Sequence, residues 1–350
     1  MPTPAQLGYR WPAEWEPHAA TWLSWPHKRA SWPDAFEPIP EAFAQFVKAV
    51  ARYETVHVLA GSHPDAEEDV MARAQSLVGG VPNVVLHDIP TNDAWCRDHG
   101  PTFLVGPADA PRALVDWKFD AWGQDYGDCS LDDAVPARIA ALQGRVRFEP
   151  GITLEGGAID GNGHGTILTT RTCLLDQHRN PGLGQEGNER FLRDYLGAKK
   201  VLWLKGVVMG RDDTKGHVDQ LARFVGPNTV VVAAEENPDD ENYEPLARTY
   251  DELTRMTDQD GRPLNVVRLP LPGPLYHRGN PEDRMPGSYC NFLIINGAVI
   301  VPQFDDPHDA RALAILAELF PDRDMVGLPA LDIVWGFGAF HCLSQQEPRA

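Results

Sequence analysis

Glycine and proline interrupt this chain so often that it has room for many short elements and few long ones. Gly and Pro number 31 each in 350 residues, spread along the whole length rather than gathered in a linker. Punctuation of this density sets turns. Between the breaks, EAFAQFVKAVARY (Glu41 to Tyr53) carries helical spacing, with Phe43, Phe46, Val47 and Val50 on one face. HPDAEEDVMARAQSL (His63 to Leu77), NERFLRDYLG (Asn188 to Gly197) and DARALAILAELF (Asp309 to Phe320) predict three more helices. The second of these closes on a capping Gly197 and the third opens on Asp309 as N-cap. Short strands are expected in ETVHVLA, NVVLHDI, TFLVG, RALVDWKF, GTILTT, KVLWLKG, NTVVVAAEE, NVVRLPL, NFLIIN and AVIVPQF. IINGAVIV reads as a hairpin turning at Asn296-Gly297 in the type I′ conformation.

Strands alternating with single helices predict an α/β fold, and residues 1–350 read as one domain because no low-complexity stretch divides them. Polar clusters also recur, at Asp98, Glu155, His217, Tyr289 and Cys342, in steps of 57, 62, 72 and 53 residues. A period of roughly 55–70 residues suits a repeated αβ module set around an axis, each copy delivering one polar cluster to the centre.

The net charge of −19 repels nucleic acid phosphates and anionic membranes and attracts small cations; it also serves plain solubility. No run approaches the roughly 18–20 apolar residues of a spanning helix; FLIINGAVIV is short and broken by Asn296 and Gly297. The opening residues lack a signal pattern. Five cysteines with no CxxC pair argue for reduced thiols in a cytoplasm, without a disulfide framework or zinc knuckle. The expectation is a cytoplasmic protein with no nucleic acid or membrane partner, and with a homo-oligomer left open.

Four segments hold side chains that can do chemistry. NDAWCRDHGP (Asn92 to Pro101) crowds two acids, an Arg, a His and Trp95 beside a Gly-Pro turn; an Asx-turn with a structural Arg–Asp pair would look the same. TLEGGAIDGNGHG (Thr153 to Gly165) places Glu155 before two glycines, and lacks the lysine of a P-loop. DDTKGHVDQLARF (Asp212 to Phe224) spaces His217 and Asp219 two apart, which in a strand puts both on one face. WGFGAFHCLSQQEPRA (Trp335 to Ala350) presents a His-Cys pair after a Gly-x-Gly turn.

Cys342 is a candidate nucleophile and needs a base or an electropositive partner. His341, its neighbour along an extended chain, would face away; His217 is the better base, with Glu155 to orient it. Carboxylates around a thiol raise its pKa and weaken it. The set makes sense when the substrate brings a positive charge: a planar guanidinium pairs bidentately with two carboxylates, offsets them and offers an electrophilic carbon. Two other classes stay open, a metal hydrolase using Asp98, His217 and Asp219 and a non-catalytic binding protein. Asn291 in SYCN orients a pocket loop or caps a turn, and Cys96, Cys129, Cys173 and Cys290 read as buried small hydrophobes.

With these segments in order, the chain resembles the agmatine deiminases, relatives of the bacterial-type peptidylarginine deiminases in the guanidino-group-modifying superfamily. The resemblance spans GYRWPAEWEPHAATWLSWP, NDAWCRDHGP, LEGG, GHVD, SYCNFLIINGAVIVPQF and GFGAFHCLSQQ. It implies a five-module α/β propeller (the pentein fold) and hydrolysis of agmatine to N-carbamoylputrescine and ammonia, in arginine and putrescine metabolism. It implies Cys342 as nucleophile through a thiouronium intermediate, His217 as proton relay steadied by Glu155, and Asp98 and Asp219 gripping the guanidinium. Trp95 would wall the alkyl chain, with no metal and no organic cofactor. Apart from the resemblance, an acid at Asp212 or Asp213 suits the amine of a dicationic substrate, and Asp213 is taken as the candidate. A peptidyl-arginine or another guanidino compound is the alternative substrate. Ala30, Gln220 and Ala339-Phe340 depart from the usual agmatine deiminase residues, and bear on whatever reads the far end of the substrate.

Overall fold

Sixteen strands fall into five small sheets that repeat one pairing rule among the described residues. The computed structural model describes residues 2–349 except 64–65, 125–126, 207–208, 278–279 and 281. In the first sheet, β1 (His18–Ser24) is parallel to β2 (Thr55–Leu59) and β2 to β3 (Val84–His87), joined through helices Ile39–Ala51 and Val70–Val78. The next four modules each pair a hairpin with a parallel third strand. They are β4 (Thr102–Leu104), β5 (Ala113–Val115) and β6 (Val146–Phe148); β7 (Ile159–Gly161), β8 (Thr166–Thr170) and β9 (Lys200–Leu204); β10 (Ala222–Gly226), β11 (Thr229–Ala234) and β12 (Asn265–Pro270); and β13 (Leu293–Ile295), β14 (Ala298–Gln303) and β15 (Asp324–Pro329). Each parallel step needs a crossover. Helices Val135–Gln143, Gln185–Leu196, Tyr243–Thr254 and Asp309–Leu319 supply them in turn. β16 (Ser344–Pro348) then returns to the first sheet, antiparallel to β1, with Leu23 opposite Ser344.

Helix Ile39–Ala51 buries Phe43, Phe46, Val47 and Val50 completely, as its periodicity predicts. At about 1.5–3 kcal/mol for each large apolar side chain removed from water, that face fixes the helix on the first sheet. The hydrophobic run of β13 and β14 is buried from Leu293 to Ile295 and from Ala298 to Val301.

Local chemistry moves several boundaries. The helix expected over His63–Leu77 starts at Val70, because the Asp69 side chain accepts from Ala72 N (2.9 Å) and caps it there; Pro64 and Asp65 lie outside the described residues. Asp309 is the first helical residue rather than the cap, since its carboxylate accepts from Phe304 N (3.0 Å) and Tyr289 Oη (2.6 Å). The Asn296-Gly297 hairpin forms, but of the two only Gly297 has positive φ (72°), so the turn is not type I′. The Asn296 amide is instead committed to His18, accepting from its N and donating to its O, both at 3.0 Å.

The polar β16 was not legible as a strand. It is buried throughout because its side chains have partners. Gln345 and Gln346 accept from Arg97 (2.7 and 2.6 Å). Glu347 accepts from Trp22 Nε1 (2.7 Å) and pairs with Arg145. No helix among the described residues is long and apolar enough to cross a membrane.

Candidate active site

The recurring polar clusters occupy one place in the repeat, the turn just before a module's first strand. Asp98 sits in the single helical turn Cys96–His99 ahead of β4, and Glu155 precedes the turn Gly156–Ala158 ahead of β7. His217 opens the turn Val218–Leu221, which carries Asp219, ahead of β10. Asn291 ends the turn Tyr289–Asn291 ahead of β13, and Cys342 lies in the turn two residues before β16. His217 and Asp219 are therefore not on one face of a strand. They meet because the chain leaves His217 extended (φ −54°, ψ 138°) and enters a helical turn at once.

The convergence point is Gly157. A Cβ there would lie 2.5 Å from His217 Nδ1, 2.9 Å from Asp98 Oδ1 and 3.1 Å from Asp219 Oδ2. A glycine lets three functional groups from two other modules approach one backbone atom. Its own N–H donates to Asp98 Oδ1 (3.0 Å). Gly157→Ala is expected to lower turnover efficiency by about 10²-fold, the cost of displacing reacting groups by roughly an ångström. Steady-state kinetics beside a melting curve would check it; a folded Ala variant with unchanged kcat/KM would show that the close approach is not needed.

Charge is distributed unevenly over the site. His217 is buried, with Nδ1 3.6 Å from Asp98 Oδ1 and Nε2 3.8 Å from Glu155 Oε2. Burial opposes its charge, yet Asp98, then Cys173 and Glu155, hold its pKa well above the usual value. Burial would also raise Glu155, but the Arg179 guanidinium, donating to Oε1 at 2.7 Å, and then His217 pull it down to about 2. The two aspartates part company. Burial lifts Asp98 above the ordinary range against the pull of His217, and the charges of Asp219 and Glu155 add to the rise. Burial works the same way on Asp219, but the imidazole of His341, 2.7 Å away, keeps that carboxyl below its usual pKa.

Cys342 is pinned by Asn291. The Asn291 Oδ1 accepts from the backbone N–H groups of Ala339 (2.9 Å) and Cys342 (3.2 Å), and its Nδ2 donates to Sγ (3.0 Å). Sγ–H in turn points at Asp219 Oδ2, 3.4 Å away. Burial, then the negative charges of Asp219 and Asp98, push this thiol well above its usual pKa. His341 does not point away from Sγ as an extended chain would place it. It lies in a turn, and its Nδ1 meets Asp219 Oδ2 (2.7 Å), the same oxygen that Sγ faces, while its Nε2 meets Glu14 Oε2 (2.9 Å).

A cavity opens onto these groups, lined by Cys342, Asp98, Trp95, Trp122, Asp213 and Phe337 among others. Trp95 is stacked on Trp32, ring centroids 5.4 Å apart, and Trp122 Nε1 donates to Asp98 Oδ2 (2.9 Å). Of the two acids the sequence offered at 212–213, Asp212 is committed to the turn, accepting from Thr214 N (2.7 Å) and Gly216 N (2.5 Å). Asp213 is the one that lines the cavity.

Comparison with known proteins decides the lineage. Residues 10–348 match the family model described as Porphyromonas-type peptidyl-arginine deiminase. The chain is 40% identical to the agmatine deiminase of Pseudomonas aeruginosa (strain LESB58) over 366 residues, covering 99% of this chain and 97% of that one. The chain belongs to the Porphyromonas-type peptidyl-arginine deiminase family. Among solved structures, the agmatine deiminase of Enterococcus faecalis superposes with TM-score 0.92 at 35% identity, covering 100% and 98% of the two chains. The arginine deiminase of Porphyromonas gingivalis, described there as putative, superposes with TM-score 0.86 at 34% identity, over 97% and 98%. The family's five-module α/β propeller is the fold seen here.

Against that family frame, the structure brings together all five residues expected at the centre: Asp98, Glu155, His217, Asp219 and Cys342. Sequence reasoning left Asn291 undecided between a pocket role and a turn cap; its contacts serve the Cys342 turn. It missed Trp122, Arg179 and Glu14, whose partners lie 24, 24 and 327 residues away. Of the residues that depart from the family pattern, Ala30 lines the cavity and Gln220 Nε2 donates to the carbonyl of Phe337 (3.1 Å), another lining residue. Ala339 and Phe340 do not line it: Ala339 N donates to Asn291 Oδ1 and Phe340 packs on Phe46. The metal ligands considered from sequence, Asp98, His217 and Asp219, are not the set whose donor atoms cluster within 4.8 Å of one another among the described residues; that set is Glu155, Cys173 and His217.

Proposed function

We propose that this protein is an agmatine iminohydrolase that uses Cys342 as its nucleophile. The observation that carries the reading is one buried thiol flanked by two carboxylates of opposite pKa tendency and one imidazole, brought from three turns to the wall of a cavity. Asp98 and Asp219 pair with the guanidinium nitrogens; a cation placed between them cancels the charges that hold the Cys342 thiol protonated. The thiolate then attacks the guanidinium carbon. The C–N bond to one terminal nitrogen breaks, His217 gives that nitrogen its proton, and ammonia leaves a covalent thiouronium. His217, now neutral, takes a proton from water as the water adds to the same carbon. Collapse breaks the C–S bond and returns the thiolate, the remaining hydroxyl proton leaves to solvent, and N-carbamoylputrescine is the product. Glu155, tied to Arg179, keeps the imidazole oriented. Trp95 covers the alkyl chain and Asp213 takes the distal ammonium. No metal or organic cofactor takes part in these steps.

Agmatine, free arginine and a blocked arginyl peptide, assayed in parallel for ammonia and ureido product, test the substrate. Agmatine is expected to exceed both others by at least about 10²-fold in kcat/KM, because a carboxylate or peptide at the far end would face Asp213 in place of an ammonium. Turnover led by the peptide would overturn the substrate and leave the chemistry.

A further inference from the structure

We infer that Glu155, Cys173 and His217 form a binding site for Zn²⁺ or a cation of similar softness, and that its occupation shuts the enzyme off. One donor atom from each residue lies within 4.8 Å of the other two, and all three residues are fully buried. A thiolate, an imidazole and a carboxylate are the ligand types of tetrahedral zinc, with a fourth position left for water. The second observation is independent of this spacing. Glu155 Oε2 and His217 Nε2, which face each other at 3.8 Å, are buried and make no hydrogen bond. Buried polar atoms of this kind are uncommon and call for a partner.

The surroundings complete the design of a metal centre. Arg179 holds Glu155 Oε1 at 2.7 Å, which fixes the carboxylate and leaves Oε2 aimed at His217. Asp98 faces the opposite ring nitrogen, Nδ1, at 3.6 Å. A carboxylate on the far side of a ligating imidazole fixes its tautomer, with Nδ1–H toward Asp98 and the Nε2 lone pair toward the ion. Binding releases the Cys173 thiol proton and the Nε2 proton of the His217 imidazolium to solvent and changes no oxidation state. Cys173 comes from the helical turn after β8, Arg171–Leu174. Glu155 Oε2 lies on the Nε2 side of His217, whereas the nucleophile candidate Cys342 meets Asp219 Oδ2 (3.4 Å).

The inhibitory consequence rests on the reading of His217 as proton relay; the metal site does not. A bound ion takes the lone pair at Nε2, so the imidazole can no longer give and recover a proton.

The test is Co²⁺ titration of chelator-treated protein, read by absorption, for wild type, Cys173→Ser, Cys342→Ser and Glu155→Gln. One equivalent of Co²⁺ is expected to bind wild type with a thiolate-to-cobalt charge-transfer band and tetrahedral d–d bands, displaced by Zn²⁺. The band should survive Cys342→Ser and vanish in Cys173→Ser. Affinity should drop at least about 10–100-fold in Glu155→Gln, a variant that keeps the proposal testable if Cys173→Ser does not fold. Zn²⁺ should inhibit wild type reversibly, and chelator should restore it. Cys173→Ser, measured against its own metal-free rate, should be insensitive. A band lost in Cys342→Ser and kept in Cys173→Ser would put the metal on the nucleophile and overturn the site, as would the absence of stoichiometric binding. Stoichiometric binding with unchanged turnover would overturn the inhibition and count against His217 as the relay.

Discussion

Cys342→Ser is expected to lose at least about 10⁴-fold in kcat while still binding agmatine. A hydroxyl in this setting is a far weaker nucleophile than a thiol, and the acids that already push the thiol up would oppose ionisation of the serine more strongly. The pairing groups, Asp98 and Asp219, are untouched by the change, and Asn291 can still donate to an oxygen where it now donates to Sγ. Binding and chemistry should therefore separate. Calorimetry should report an agmatine affinity within about tenfold of the wild-type KM, and a single-turnover experiment should show no ammonia burst. Residual turnover within tenfold of wild type would remove Cys342 from the mechanism.

The second large effect is at the guanidinium pair. Asp98→Asn and Asp219→Asn should each reduce kcat/KM by about 30- to 5,000-fold, the range for breaking one partner of a buried, hydrogen-bonded charge pair (roughly 2–5 kcal/mol). The Asp219 variant carries a signature of its own. Asp219 is the largest electrostatic influence raising the Cys342 pKa, after burial. Without its charge the thiol ionises more readily, so Cys342 should be alkylated by iodoacetamide faster at pH 7–8 although turnover is slower. Peptide mapping would separate Cys342 from the other cysteines. Slower alkylation together with slower turnover would mean that Asp219 supports the thiolate directly, contrary to the charge balance described above.

The centre of the site was legible because its residue types are chemically unusual together. Three carboxylates, one imidazole and one cysteine at repeated intervals constrain the substrate before any geometry is known. The supporting residues were hidden for a physical reason. Asn291 satisfies the turn before Cys342 from 51 residues away, and Glu14 meets His341 from 327. In sequence they look like any polar side chain at a turn. The modular fold was legible in the same uneven way. β14 and the helix Ile39–Ala51 declare themselves by hydrophobic pattern. β16, SQQEP, has no apolar alternation and becomes a strand only because Arg97, Trp22 and Arg145 wait for its side chains. The strand guess for His217 and Asp219 reached the right meeting point through the wrong local structure.

The pairing of β16 with β1 also bears on how the protein is made. In the order of synthesis, the first sheet's β1, β2 and β3 and the four hairpin modules all precede Cys342 and the strand beside it. A ribosome that has reached residue 330 has already delivered Asp98, Glu155, His217 and Asp219, and each module can fold on leaving the exit tunnel. Such a nascent chain carries the carboxylates proposed to pair with the substrate cation and lacks the sulfur proposed to attack it. Activity then awaits one late docking event across more than 300 residues, between Leu23 and Ser344, a contact whose closure is slow by its separation alone. The nucleophile candidate and the strand that completes the first sheet are therefore set in place in the same step.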